Sequence, residues 1–252
     1  MDLAERISTL RRVNALSARQ LAALVDVAPT TVTRIESGAV SPSFDLAQEL
    51  LAVLGEPIGF TGVADLAAIA TARLALDTSL GVSVTPGVEA WRRRWSRIGL
   101  VDDQGRVVPG KEADLLFRAG RAARLTRRPG AVDFGAGPST YDVARALGRA
   151  GDAYALTGDA GANLYRSSAA EAWPVLYVED VGRAAAAAGL SRKEPGSFGM
   201  RVTLIPFDGV SELGRTEMEG FVVATRDQVI LDAYGGIDRM AEQAAILLGN
   251  VP

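Results

Sequence analysis

The stretch of sequence that decides the fold of the N-terminal region is LSARQLAALVDVAPTTVTRIESGAVSPSFDLAQELLAVLG, residues 16–55. Ser17, with Gln20 three residues later, has the form of a capping box at the start of a helix. Pro29 suits the first position of a second helix, where its missing N–H has no intrahelical partner in any case. Gly38 is typical of the end of that helix. The pattern therefore predicts two short helices joined by a tight turn.

Flanking helices are predicted on both sides, from the spacing of Leu3, Ile7, Leu10 and Val13 and of Leu46, Leu50 and Leu54. Two short helices inside such a bundle form a helix-turn-helix unit, whose second helix enters the DNA major groove. Short hydroxyls and an arginine on that helix suit base edges, and the start of the preceding helix suits phosphate. The alternative is a helical bundle that makes only protein contacts. The candidate DNA-binding residues here are Ser17, Arg19, Gln20, Thr30, Thr31, Thr33 and Arg34.

Residues 3–55 resemble the phage-repressor helix-turn-helix family of the Cro/CI or Xre type. The most specific part of the resemblance is the ending RIESG at residues 34–38, followed by Ser41-Pro42. The resemblance implies that Thr30, Thr31, Thr33 and Arg34 hold recognition-helix positions and that Ala22 and Val32 are core. Two positions depart from the family pattern: Asp26 replaces the common turn glycine, and Ala18 replaces a glutamine that often binds phosphate, so Arg19 or Gln20 takes over that role.

Charge is unevenly distributed along this chain of net charge −3. Residues 1–55 carry five arginines against six acids, which gives −1, whereas residues 91–128 carry ten arginines and one lysine against four acids, which gives +7. A basic block in an acidic protein is a candidate for binding a polyanion, although a solvated helical face is the alternative interpretation. The candidate phosphate-binding residues in this block are Arg92, Arg93, Arg94 and Arg97.

The middle of the chain is predicted to begin with a linker at residues 55–62 and a helix over 64–76. A basic helix over 91–98, a hairpin signal at 102–105 and a helix over 111–124 follow, and together they can form a winged-helix-like module. Trp91 and Trp95 either pack beneath such a module or serve as core anchors.

The C-terminal part alternates helices with four predicted strands at 153–157, 175–178, 200–205 and 221–224, which indicates a small α/β domain. YALTGDAGANLY (154–165), PVLYVED (174–180) and RDQVILDAYGGIDRMAEQAAILL (226–248) resemble the C-terminal domain of AbiEi-type antitoxins. The resemblance implies a nucleotidyltransferase-like fold without the catalytic acids. That family usually begins with a winged helix, whereas this chain begins with a repressor-type unit.

Catalysis is not expected. The chain has no cysteine and no histidine, which excludes thiol nucleophiles, cysteine-ligated zinc and histidine bases. The strand-to-helix turn at Thr157-Gly158 lacks a GxGxxG or P-loop pattern, so a plain tight turn is the alternative to a phosphate cradle. Glu179 and Asp180 are adjacent on a strand and point to opposite faces, so they cannot hold one metal ion together. We expect no catalytic residues, no metal site and no cofactor.

The sequence therefore predicts a multidomain protein of all-α and α/β parts. Its expected divisions are a helix-turn-helix domain (1–56), a linker helix with a basic, winged-helix-like module (57–138), and an α/β sensing or dimerisation domain (139–252). The predicted function is a sequence-specific transcriptional regulator, a repressor, that binds double-stranded DNA as a homodimer on a pseudo-palindromic operator. Its effector would be a small molecule, a nucleic acid or a protein.

Two other functions stay open at the level of sequence: an AbiEi-type antitoxin that autoregulates a toxin-antitoxin operon, and a nucleotidyltransferase enzyme. No apolar run approaches the roughly 20 residues that span a bilayer, and the first residues do not have the form of a secretory leader. A cytoplasmic protein without membrane contacts is expected.

Overall fold

The computed structural model describes residues 2–56, 64–135, 138–166, 173–192, 201–236 and 240–249. Three predicted features lie partly outside the described residues: residues 57–62 of the linker, residue 200 of a strand and residues 237–239 of the stretch 226–248 that resembles the antitoxin domain.

Four helices form the N-terminal bundle: α1 (Leu3–Val13), α2 (Ala18–Leu24), α3 (Pro29–Glu36) and α4 (Phe44–Val53). Ile7 and Leu10 of the predicted stripe on α1 are buried, whereas Leu3 and Val13, at the two helix ends, are exposed. Leu50 and Leu54 of α4 are also buried, as the apolar spacing predicts.

In the described residues from 64 to 128, three α-helices make up the middle of the chain: α5 (Leu66–Leu76), α6 (Pro86–Arg97) and α7 (Glu112–Ala122). Short 3-10 turns occur at Thr78–Leu80 and Leu125–Arg127, and α5 packs against both α6 and α7. The predicted hairpin at 102–105 consists of a single antiparallel bridge between Val101 and Val107. Within the described residues, no helix is long and apolar enough to cross a membrane.

The C-terminal part is a mixed sheet with helices. Its elements are β1 (Val132–Gly135), α8 (Thr140–Ala150), β2 (Tyr154–Thr157), α9 (Gly158–Tyr165), β3 (Pro174–Val178), α10 (Val181–Ala187), β4 (Arg201–Pro206), β5 (Thr216–Met218), β6 (Phe221–Val223), α11 (Arg226–Gly235) and α12 (Met240–Leu248). The strand order is β1-β4-β3-β2-β6-β5, with parallel pairs β3–β4 and β2–β6 and antiparallel pairs elsewhere.

The centre of the sheet is covered on both faces, because every residue of β2 and β3 is buried. One group of mutually contacting helices comprises α8 and α10, and another comprises α9, α11 and α12. The four predicted strands correspond to β2, β3, β4 and β6. The two strands that the sequence did not predict, β1 and β5, are the short edge strands of the described sheet.

A buried ion pair lies at the core of this α/β part. Asp232 on α11 has no exposed surface, and one of its carboxylate oxygens accepts a hydrogen bond from Arg128, at 2.7 Å. The Thr157 hydroxyl at the end of β2 donates to the other oxygen at 2.6 Å, and the Tyr177 hydroxyl on β3 donates to both at 2.9 Å. The Gln228 amide also donates, at 2.9 Å. Five hydrogen bonds from four donor groups at a buried acid are suited to an ionised carboxylate.

The same network extends to the middle of the chain through Arg73 on α5, which is almost fully buried. Its guanidinium donates to the Gln228 side-chain oxygen at 2.9 Å and to the Leu213 carbonyl at 2.7 Å. Burial raises the pKa of Tyr177 well above its ordinary value, so its phenol stays protonated as a donor. We refer to Arg73, Arg128, Thr157, Tyr177, Gln228 and Asp232 as the buried polar network.

Helix α7 also crosses α11 at very short range. A Cβ atom at Gly120 would lie 2.3 Å from the Leu231 carbonyl oxygen, and one at Gly235 would lie 2.7 Å from the Gly120 carbonyl oxygen. Only glycine fits such a close approach of two helix backbones. The middle helices are therefore fastened to the α/β part both by side chains and by direct backbone packing.

Replacing Asp232 by asparagine should lower the free energy of unfolding by about 3 kcal/mol, because buried Arg128 loses the nearer of its two acidic partners and keeps only Asp208, at 3.6 Å. Urea unfolding followed by tryptophan fluorescence measures the loss. Asp142→Asn is the matched control, because Asp142 pairs with Arg145 on the surface at 2.9 Å. That variant should unfold at nearly the wild-type midpoint. Equal midpoints for the two variants would contradict a dominant role of the buried pair.

Candidate nucleic-acid interface

Local signals position helices α2 and α3 as the sequence predicts. The Ser17 hydroxyl oxygen accepts from the Gln20 N–H at 3.2 Å, and the Ser17 N–H donates to the Gln20 side-chain oxygen at 2.9 Å, which completes the capping box. Asp26 in the turn has a φ of 55°, in the left-handed region that the family pattern usually fills with glycine. Pro29 begins α3, and Gly38, with a φ of 74°, follows its end.

Helix α3 presents a polar face to solvent. Val32 and Ile35 are buried, whereas Thr30, Thr33 and Arg34 are exposed. Thr31 is half-buried, so it lies at the margin of the exposed face. The Thr33 hydroxyl donates to the Pro29 carbonyl at 3.2 Å, which leaves its oxygen lone pairs outward as acceptors.

Two guanidinium groups of this domain are free to meet a ligand. In the part of the chain that the structure describes, neither Arg19 nor Arg34 forms a side-chain hydrogen bond or an ion pair, and both are exposed. Ser17 is exposed, and Gln20 is half-buried beside Arg19. The capping box uses only the oxygen of the Gln20 side-chain amide, so the nitrogen of that amide is not used by the capping box. The start of α2 and the outward face of α3 thus carry unengaged donors on one helix pair.

A charged contact that the sequence did not predict links α1 to α3. Arg11 on α1 forms two parallel hydrogen bonds to Glu36 at the end of α3, at 2.6 Å and 2.8 Å, and donates a third to the Leu16 carbonyl. The hydrogen bond to Glu36 raises the pKa of Arg11. The sequence held one signal for this contact, the glutamate in RIESG at residues 34–38. That glutamate is part of the family resemblance, but the sequence did not show that Arg11 is its partner. This bidentate pair holds α3 at a fixed angle to α1.

Three of the four arginines predicted on α6 have protein partners. Arg94 pairs with Glu49 on α4 at 2.8 Å, and Arg97 pairs with Asp26 in the recognition turn at 2.9 Å. Arg92 lies 3.5 Å from Glu89 and donates to the Asp103 carbonyl. Arg93 is exposed, and its guanidinium has no partner among the described residues. Helix α6 therefore docks on the helix-turn-helix unit through Arg94 and Arg97.

The tryptophans of α6 belong to the core. Trp91 and Trp95 are buried with ring centroids 5.1 Å apart, and the Trp91 indole N–H donates to Asp65 at 2.8 Å. Of the two interpretations of this aromatic pair, the structure favours core anchors. They hold α6 against the preceding helix, while Arg94 and Arg97 contact the N-terminal domain.

The acids of the C-terminal turn region are engaged in the protein itself. Glu179 pairs with Arg183 at 2.8 Å, and Asp180 caps α10 by accepting from the Arg183 N–H at 2.7 Å. Thr157, which precedes the turn glycine, donates to buried Asp232. Among the described residues, no group of three or more acidic side chains is arranged to hold a metal ion.

Glu36→Gln is expected to lower the free energy of unfolding by about 1 kcal/mol, because one of the two charge-assisted hydrogen bonds to Arg11 is lost. Thermal unfolding followed by helical circular dichroism measures the change. Glu5→Gln is the control, because Glu5 is an exposed residue of α1. If the two variants melt together, the brace between α1 and α3 contributes nothing measurable.

Comparisons with known proteins agree with the geometry of the N-terminal part. A helix-turn-helix family model matches residues 9–60, a span that includes α2 and α3. No curated protein and no solved structure shows significant similarity to the chain. The match to residues 9–60 supports a DNA-binding transcription regulator with a helix-turn-helix of the Xre/Cro/CI type.

Proposed function

We propose that the chain is a sequence-specific transcriptional repressor that acts in the cytoplasm as a homodimer on double-stranded DNA. The observation that carries the proposal is the exposed face of α3, where Thr30, Thr33 and an unpaired Arg34 project from a helix-turn-helix domain. A single unit of this kind reads one half-site, so a dimer would read two half-sites roughly 34 Å apart on a pseudo-palindrome.

We assign recognition of the DNA sequence to α3, and positioning of the protein on the DNA backbone to the start of α2. A free guanidinium can bind the O6 and N7 atoms of guanine with two hydrogen bonds, which suits Arg34. The hydroxyls of Thr30 and Thr33, with Thr31 at the margin, suit base edges or a thymine methyl group. Ser17, Arg19 and Gln20 lie at the start of α2, where N–H groups and an arginine favour phosphate.

Additional phosphate contacts are assigned to α6, because residues 1–55 have a net charge of −1 and attract DNA weakly by themselves. Arg93 needs no rearrangement for this role. Arg92, Arg94 and Arg97 would have to exchange their present partners for phosphate. We assign the α/β part to sensing or dimerisation and propose no catalytic activity for it, because its best-placed acids are buried, paired or capping a helix.

Selection of DNA fragments by the purified protein tests the proposal as a whole. Enrichment of one motif with two-fold symmetry supports a dimeric regulator that reads sequence. Recovery of unselected sequence would contradict it.

Arg34→Ala should weaken binding to the selected site by about 1–3 kcal/mol and relax the preference at one base position of each half-site. The change removes the base contact but leaves the fold intact, since the side chain is exposed. Fluorescence anisotropy with single-base variants of the site measures the effect. Arg12→Ala is the control on exposed α1 surface. An unchanged base preference in Arg34→Ala would remove Arg34 from the readout.

Neutralising Arg92, Arg93 and Arg94 together should weaken binding uniformly across sequences and flatten its dependence on salt. Arg93→Ala alone should lower the slope of log K against log salt by about one, because one phosphate contact is lost. Titrations over a range of salt concentrations at constant pH measure both slopes. A wild-type slope in the triple variant would exclude α6 as a second DNA contact.

A further inference from the structure

A cavity lies between the middle helices and the α/β part. Its volume is about 330 Å³, within the range of small-molecule sites. One wall is the start of α5, with Leu66 and Ala70, and another is the start of α6, with Ser83 before it and Val88 in its first turn. The third wall is the loop that begins at Asp208.

The chemistry of the walls is apolar with hydroxyl groups. The side chains from α5 and α6 that line the cavity are aliphatic, and Ser83 and Thr85 add one hydroxyl each. The Ser83 hydroxyl has no partner among the described residues. A mainly apolar molecule in the cavity could therefore exchange hydrogen bonds with Ser83.

The one charged side chain at the cavity, Asp208, already has hydrogen-bond donors and a counter-charge within the protein. Asp208 is the one ionisable residue among the cavity-lining residues, and its carboxylate accepts from the Val210 and Ser211 N–H groups at 2.9 Å and 2.7 Å. The Ser211 hydroxyl donates to it as well, and Arg128 lies 3.6 Å away. An anion would be repelled by Asp208, and a cation would compete with Arg128. A neutral ligand fits best.

The elements that line the cavity also contact the buried polar network on one side and the helix-turn-helix unit on the other. Asp208 and the Val210 carbonyl contact Arg128 and Arg73 of the buried polar network. Helix α6 runs about 14 Å from Val88 to Arg97, which pairs with Asp26 beside the recognition helix. A molecule that wedges α6 away from the loop would therefore displace the element that docks on the helix-turn-helix unit.

We propose that this cavity binds a small, neutral, mainly apolar molecule bearing a hydroxyl group, and that its occupancy changes DNA affinity through α6. The binding site stands on the geometry of the cavity alone. Only the effect on DNA rests on the proposed function.

Binding is tested with full-length protein and three matched probes: cyclohexanol, cyclohexylamine and cyclohexanecarboxylate. Saturation-transfer NMR should detect cyclohexanol and give at least about tenfold weaker binding for the two charged probes. Ala70→Leu places a larger side chain in the cavity and should abolish the cyclohexanol signal. Ser83→Ala, which keeps the shape, should weaken binding about fivefold through one lost hydrogen bond.

Ala187→Leu is the control, since it makes the same substitution on the exposed face of α10 and should bind cyclohexanol as wild type does. Absence of a cyclohexanol signal from the wild type, an equal signal in Ala70→Leu, or equal binding of the charged probes would overturn the site.

The effect on DNA is measured separately by fluorescence anisotropy on the selected fragment. Saturating cyclohexanol should change the Kd at least about fivefold in the wild type and in Ala187→Leu but not in Ala70→Leu. An unchanged Kd in the wild type would overturn the coupling. Failure of the protein to bind any DNA would instead count against the proposed function, while the NMR result on the cavity would stand.

Discussion

The fully buried ion pair between Arg128 and Asp232 is the constraint on which the rest of the structure depends. A charge removed from water needs a counter-charge and hydrogen bonds to be tolerated. Meeting that requirement fixes the end of β2 through Thr157, the middle of β3 through Tyr177, and α11 through Gln228. The pairing of strands and the seat of α11 are thus set at one point.

The buried polar network also connects the α/β part to the middle helices. Arg73 on α5 enters the network through Gln228, and α7 meets α11 at Gly120. Arg118 of α7 then donates to the Asn14 carbonyl at the end of α1, at 3.3 Å. Helices α5, α6 and α7 are therefore packed between the recognition unit and the sheet. In the proposed regulator, an input to the α/β part would reach the helix-turn-helix unit through these packed helices.

The parts that sequence predicted well are those encoded by neighbours in the chain. The capping box at Ser17 and the turn at Asp26 depend on a few adjacent residues, and the sequence located both. The edge strands β1 and β5 escaped prediction because they are short: β1 pairs with the distant strand β4, whereas β5 has only three residues and pairs with the neighbouring β6. The roles of Arg94 and Arg97 were also invisible, since their partners Glu49 and Asp26 lie far away in the sequence.

The sequence by itself determined the helix-turn-helix unit, the exposed character of Arg34 and the α/β class of the C-terminal part. Periodicity and capping are local properties, so they can be recognised without coordinates. Only the tertiary structure decided which charges are free and which are engaged. In the folded protein Arg73 and Arg128 are buried, α6 docks on the helix-turn-helix unit, and a cavity lies beside α6. Burial and partner choice depend on contacts between segments far apart in the chain, and no local pattern records those contacts.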